Sequence, residues 1–295
     1  MWFDQNRELL GSSLRITFEL EDQEQADLLF QSCWQKIEYF HKKYSRFISD
    51  NTLSAINSHL DEWQPIDKET FDLIKKVLKL SEKYSLNFSL AVKKTLENIG
   101  YDQNYSFQPK ENINPNRNEA KILLKEPDQL FINSTIEFGG FGKGYALDLA
   151  AETLMPYVKN VCLDFGGDLF AKGKNPSGES WKIALESPFS LDEAIGTVVL
   201  DGEFLTASNT LKRSWGKDKK LHHLIDVKNQ KPADYWAGSY IVADSGMVAD
   251  YLATALFCTS PQDLEKVGDK INDCKFMLAG NDRSLFQHNF KADLF

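Results

Sequence analysis

From Leu14 to Leu20 apolar and polar residues alternate strictly, which predicts a strand with one buried face. The spacing then changes. Ala26, Leu29, Phe30, Cys33, Ile37 and Phe40 recur at helical intervals and predict an amphipathic helix between Asp22 and Tyr44. A second such helix is predicted from Lys68 to Lys83, with Phe71, Ile74, Val77 and Leu78 on its apolar face. Between them the polar segment from Tyr44 to Asn57 reads as a surface loop that ends in a short helical piece capped by Asp50 or Asn51. After Asn87-Phe-Ser-Leu-Ala-Val92 and Leu96 to Tyr101, the polar run from Asp102 to Asn118 carries Pro109 and Pro115. It predicts a flexible loop or an excursion over the surface.

In the second half, Leu130 to Ile136 is rich in β-branched and aromatic residues and predicts a strand. Ala146, Leu149, Ala150, Thr153 and Leu154 return to helical spacing until Pro156 intervenes. The apolar stretch Asn160 to Gly173 is interrupted by Gly166-Gly167-Asp168, which suggests a bulge or a close backbone approach. Trp181 to Glu186, Gly196 to Asp201, Phe204 to Asn209 and Gly238 to Ala243 predict further strands. The basic stretch Lys212 to Lys220 reads as a solvated hairpin tip. Ser245 is a fit cap for a helix from Met247 to Cys258 with Val248, Leu252 and Leu256 on its apolar face. Strands and helices are interspersed without a regular βαβ rhythm and without a repeat, so the predicted class is α+β.

Composition narrows the function. A length of 295 residues permits one large domain or two intimately joined lobes, and 42% hydrophobic with 26% charged residues is ordinary for a soluble protein. A formal net charge of -9 argues against nucleic acid as a main partner. Cys33, Cys162, Cys258 and Cys274 lie far apart in apolar contexts, which predicts buried free thiols and a reducing, cytoplasmic setting. The first residues lack a basic leader pattern, and no segment reaches the apolar length of a membrane span.

Four glycines, Gly139, Gly140, Gly142 and Gly144, fall within six positions between a predicted strand and a predicted helix. Such a turn either lets the backbone approach a ligand or simply packs tightly. Bare amides at a helix start beside Lys143 point to an anion, a phosphate first of all. A P-loop is excluded, because Glu137 and Gly144 stand where it needs Gly and Ser or Thr; a dinucleotide fingerprint is excluded by Tyr145 and Leu147. Asp250 and Thr254 share a helix face and can offer two oxygens to a hard cation such as Mg²⁺, or Thr254 can bond the Asp250 carbonyl instead. His223 is a candidate general base or a partly buried bystander; it cooperates with Asp226 only if the chain turns between them. Neither a Gly-x-Ser-x-Gly elbow nor zinc-ligand spacing occurs.

Taken in order, these segments resemble the ApbE family of flavin transferases. Ser45-Arg-Phe to Asn57 is similar to its Ser-x-Tyr/Phe and Ser-Glu-Leu-x-x-Leu-Asn pattern, and Glu137 to Asp148 to its Asp-Leu-Gly-Gly-Ile-Ala-Lys-Gly-Tyr-Ala-Val-Asp signature. Phe165-Gly-Gly-Asp168, Trp181 to Pro188, His223-Leu-Ile-Asp226 and Ala249-Asp-Tyr-Leu-Ala-Thr254 match four further motifs, so the resemblance covers nearly the whole chain. It implies a T-fold-related α+β architecture of largely antiparallel sheets with packed helices. The implied reaction is Mg²⁺-dependent transfer of the FMN half of FAD onto a Ser or Thr of a target flavoprotein, with release of AMP. The alternatives are an FAD-binding protein without transfer activity, or hydrolysis of FAD to FMN and AMP. The resemblance implies metal contacts at Gly142, Asp250 and Thr254 and a base or positioning role for His223. It implies FAD contacts at Gly139, Gly140, Lys143, Gly166, Gly167, Asp168, Ser208 and Asp226. The pattern departs at Asn87-Phe-Ser-Leu-Ala91, at Thr206 to Leu211, at Glu137 in place of Asp, and at Asp226-Val-Lys-Asn-Gln-Lys-Pro232 in place of Asp-Pro-x-Thr-Gly-x-Pro.

Overall fold

The computed structural model describes residues 1–110 and 120–295; residues 111–119 of the polar run lie outside the described residues. Among the described residues, eight strands form one sheet in the order Trp2–Leu9, Ser12–Glu19, Val161–Phe165, Leu169–Lys172, Glu203–Asn209, Trp236–Ala243, Lys275–Gly280 and Leu285–His288. Every neighbouring pair is antiparallel. The class is α+β, as the interspersed pattern predicts.

Side-chain alternation splits the core into two layers. Leu163, Phe170, Phe204, Ile241, Phe276 and Leu278 point to the face covered by the helices Gln23–Tyr44, Gly142–Leu154 and Gly246–Phe257. Their sequence neighbours Ala171, Leu205, Tyr240, Val242, Met277 and Ala279 point the other way, against the small sheet of Trp181–Glu186, Ala194–Leu200 and Asp293–Leu294. Each fully buried large apolar side chain contributes about 1.5–3 kcal/mol, so both faces of this sheet are stabilised.

Most boundaries follow from local signals. Asp22 caps Gln23–Tyr44, Asp67 caps Lys68–Tyr84, and Asn51 closes a capping box at Thr52–Asn57. The Asn160 to Gly173 stretch is two strands, joined at Gly166 and Gly167, whose φ values of 69° and 95° demand glycine. The run from His222 to Asp226 is not one strand: Leu221–His222 and Ile225–Asp226 pair with different partners, and the chain breaks at His223-Leu224. Trp2–Leu9, Lys275–Gly280 and Leu285–His288 are not predicted by the alternation pattern. The first is an edge strand whose residues are half exposed and half partly buried, the second is buried on both faces, and the third is mostly exposed, so none shows a period of two. The described part of the polar run is exposed from Gln103 to Lys110, an excursion over the surface as expected, with Tyr105 stacked on Phe47 at 4.5 Å.

Helices Gly142–Leu154 and Gly246–Phe257 cross through a glycine contact. A Cβ on Gly144 would stand 2.0 Å from the Gly246 carbonyl oxygen and 2.6 Å from Asp250 Cβ. Backbone meets backbone there, so nothing flexible can yield. Gly144→Ala is therefore expected to destabilise the fold by about 3 kcal/mol or more through forced separation of the helices. Gly268→Ala, where a Cβ meets nothing within 4 Å, should change stability by less than about 0.5 kcal/mol. Urea denaturation of both variants checks this; equal midpoints would show that the crossing is not tight.

Candidate active site

The strand Gln129–Ile132 leads into the glycine turn, and Asn57 holds the connection: its side chain accepts the Ile136 N–H at 2.7 Å and donates to the Ile136 carbonyl at 2.9 Å. Glu137 follows, buried, and accepts the Gly139 N–H at 2.8 Å. Burial raises its pKa, against the opposing charge of Arg46. At Gly140 a Cβ would press against Phe88 at 2.8 Å, so this turn is tight as well as open to a neighbour.

No side chain of its own caps the helix Gly142–Leu154. Its Gly144 N–H donates instead to Asp250 Oδ2 of the other helix at 2.9 Å. Asp148 returns the contact, accepting the N–H groups of Gly246 at 2.6 Å and Met247 at 2.9 Å and the Ser245 hydroxyl at 2.9 Å. Each helix thus supplies the carboxylate for the positive end of the other. Nothing in the spacing of the sequence marks Asp148 for this part.

A cavity of about 840 Å³ opens beside the crossing. Its walls take in Gly139, Gly140, Gly142 and Lys143 from the turn, Asp250 and Thr254 from the facing helix, and Gly166 and Gly167 from the strand hairpin. Ser208 and His223 line it too. Segments far apart in sequence therefore converge on one space, including the three candidate metal-contacting positions.

Two expected ligand contacts lie behind this wall. Asp168 is buried and bonded to Lys143 Nζ, while its other oxygen accepts the Ala207 N–H at 3.2 Å. Burial works against the Lys143 charge, but Asp168 and Asp250 outweigh it and raise its pKa. Asp226 is wholly buried and saturated: it accepts from Asn87 Nδ2 and the Tyr235 hydroxyl, each at 2.7 Å, and from Asn229 Nδ2 at 2.5 Å. The N–H groups of Lys228 and Asn229 complete the set at 3.0 and 3.2 Å. It builds the loop after His223 and ties it to Asn87, and among the described residues neither Asp168 nor Asp226 is part of the cavity lining.

The electrostatics of the cavity are uneven. Asp250 is buried and its pKa is raised, first by burial and then by the charge of Asp168. His223 is pushed down to about 3, by burial first and then by Arg213, His222, Lys143 and Arg46. Its Nδ1 is buried without a hydrogen-bond partner among the described residues. Arg46 and Arg213 also line the cavity, and residue spacing alone does not reveal them. The available signal was that Arg46 sits in the Ser45-Arg-Phe motif and Arg213 in the basic stretch; the expectation that this stretch is only a solvated tip is too simple.

A family model described as the ApbE family matches residues 10–278. Curated relatives named FAD:protein FMN transferase include one from Haemophilus influenzae, 28% identical over 179 residues, which are 59% of this chain and 51% of that protein. Another, from Vibrio cholerae, is 25% identical over 238 residues, 75% of this chain and 70% of that protein. The chain thus spans about half the length of the first of these relatives. Among solved structures, the ApbE protein of Thermotoga maritima superposes with a TM-score of 0.86 at 22% identity, covering 98% of this chain and 97% of that one. The apo flavinyl transferase ApbE of Pseudomonas stutzeri gives 0.82 at 18% identity, over 98% and 95% of the two chains. At such identities the likeness is one of fold.

A consequence of the His223 environment can be measured in solution. Its folded pKa lies below the value of about 6.5 for an unfolded histidine, so the unfolded chain binds the proton first as pH falls. The contribution to stability is complete above pH 6.5 and is lost progressively toward pH 3. His223→Asn is expected to lessen the loss of stability between pH 7 and pH 5, read as the difference in urea midpoint at the two pH values. An unchanged difference would mean that the ring is not held neutral.

Proposed function

The chain belongs to the ApbE family, and on that premise we propose that it transfers the FMN half of FAD to a Ser or Thr hydroxyl of a target flavoprotein and releases AMP. One observation carries this reading: the glycine turn and the Asp250–Thr254 helix face, distant in sequence, line a single cavity large enough for a dinucleotide. The names of the curated relatives agree with it.

The donor set fits a hard divalent cation that leaves positions for phosphate and water. One carboxylate and one hydroxyl stand a turn apart, and among the described residues no group of three or more His, Cys, Asp or Glu forms a cage. The raised pKa of Asp250 marks a carboxylate whose charge lacks full compensation, which a cation would relieve. Asp250, Thr254 and Gly142 would hold Mg²⁺, whose chemistry when bound is to neutralise charge on the phosphates.

In the proposed reaction the acceptor oxygen bonds to the FMN phosphorus, the bond from that phosphorus to the oxygen of AMP breaks, and AMP leaves as the phosphate. The hydroxyl proton passes to a base. His223 is suited to that part, because its ring is neutral at physiological pH and borders the cavity. An anionic substrate would offset the cations that depress its basicity. Lys143 fixes the turn through Asp168, and Asp250 fixes the first turn of the facing helix Gly142–Leu154, so the reacting groups are held on rigid elements.

The test is incubation with FAD and Mg²⁺, with and without a candidate flavoprotein bearing a Ser or Thr acceptor. Covalent flavin fluorescence on the acceptor and an equal amount of AMP by chromatography are expected. AMP without an acceptor would point to hydrolysis instead. Asp250→Ala should lower transfer by about 100-fold or more, and undiminished labelling by that variant would refute its part at the metal.

A further inference from the structure

The lysine of the glycine turn is the obvious partner for an anionic ligand, yet its charge is already engaged. Lys143 is paired with Asp168, and Asp250 opposes it from the facing helix. Four other Arg or Lys residues line the same cavity, of which Arg15 is paired with Asp4 and Lys212 with Glu186, so that Arg46 and Arg213 are the two with no carboxylate partner among the described residues. Arg46 has its guanidinium 4.2 Å from the ring centroids of both Phe47 and Tyr101. Its Nη1 donates to the Tyr101 carbonyl at 2.8 Å, while its Nη2 is buried and has no partner among the described residues. Arg213, just ahead of the strand Ser214–Trp215, is anchored by one bond from Nη2 to the Gly11 carbonyl at 2.8 Å. Glu137 is close enough to feel the charge of Arg46 but makes no ion pair with it among the described residues.

A buried guanidinium donor with no acceptor is costly, and a phosphate oxygen is the acceptor that returns the most, through a short charge-assisted bond. The two aromatic contacts restrict the planar fork in advance, so little freedom is lost when a ligand arrives. Lys143 offers neither advantage, because a phosphate beside it also meets two carboxylates. Resting on the FMN-transfer reading above, we propose that Arg46 and Arg213, and not Lys143, are the residues that recognise the pyrophosphate of FAD and so set the preference for the dinucleotide over uncharged flavin. Arg46 contributes a donor that is empty until the ligand binds. Arg213 contributes a second charge from the opposite stretch of chain, tied to the turn at Gly11.

Binding of FAD and of riboflavin, which shares the isoalloxazine ring but carries no phosphate, can be measured by flavin fluorescence without added divalent cation. The proteins compared are wild type, Arg46→Gln and Arg213→Gln. Each substitution is expected to weaken FAD binding by about tenfold or more while riboflavin binding stays within about twofold. FAD affinity equal to wild type in both variants would overturn the proposal, and so would a parallel loss of FAD and riboflavin, which is the signature of disturbed ring packing. If Arg46→Gln has lost its native circular dichroism, Arg213→Gln carries the same comparison. A wild-type protein that binds neither flavin would overturn the FMN-transfer reading itself, a result distinct from either of the others.

Discussion

Two helices that complete each other's N-terminal caps hold this site together. The helix Gly142–Leu154 begins after Phe141, which has no side chain to offer its first N–H groups, so Asp250 of the facing helix takes that of Gly144. The facing helix has Ser245 at its start, at a long 3.4 Å, and relies on Asp148 for the N–H groups of Gly246 and Met247. Caps of this kind contribute about 0.5–2 kcal/mol each, and here the carboxylate part of each comes from the other helix. The arrangement requires close approach, which the facing glycines Gly144 and Gly246 permit. Folding and chemistry therefore share a residue: Asp250 commits one oxygen to the neighbouring helix before any ligand is considered.

That constraint propagates to the sheet. Lys143 lies next to Gly144, so once the helices are locked its ammonium has a fixed origin, and Asp168 must be brought to it. The tight turn at Gly166 and Gly167 accomplishes this from the middle of the eight-stranded sheet. A Cβ on Gly166 would stand 2.0 Å from Ser12 Oγ, so the adjoining N-terminal hairpin presses directly on that turn. Asp168 then uses its second oxygen on the Ala207 N–H, which ties the turn to the next strand and leaves Ser208 at the cavity wall. The ion pair is thus the joint between helix layer and sheet. Buried charges of this sort bring little net stability unless their remaining valences are satisfied, and here the second oxygen of Asp168 is satisfied by backbone.

The sequence carried much of this in its periodicity. Helical spacing located Gln23–Tyr44 and Lys68–Tyr84 to within a residue or two, because a helix that buries one face must repeat its apolar residues every three or four positions. It carried less where burial is two-sided or absent: Lys275–Gly280 lies between two core layers, and Trp2–Leu9 lies at an edge. At the site, the glycine turn, Asp250, Thr254 and His223 were visible through ordered motifs, and all of them reach the cavity. Asp168 and Asp226 were equally visible but face away, since a motif preserves residue type without saying which way the side chain turns. Asp148, Arg46 and Arg213 act through contacts with residues 98, 55 and 202 positions away, a distance no local pattern encodes.

The departures from the family pattern acquire a physical meaning at Asp226 to Pro232. In place of Thr the chain has Asn229, whose side-chain N–H reaches Asp226 Oδ2, so a donor to that carboxylate is present although the residue differs. In place of Gly it has Gln230 at φ 53°, a left-handed conformation that costs a side-chain-bearing residue about 1–2 kcal/mol. That cost is offset locally: Gln230 donates to the Val227 carbonyl at 2.7 Å and accepts from the Thr95 hydroxyl at 2.6 Å. Asn87, itself within a departing segment, bonds Asp226 from one side and the Cys258 carbonyl from the other, at 2.7 Å each. The substituted residues thus rebuild one turn by other bonds and bind it to the end of the Asp250 helix. His223, three residues before Asp226, is anchored by that turn, so the departures change the means by which the loop is held while keeping the ring at the cavity.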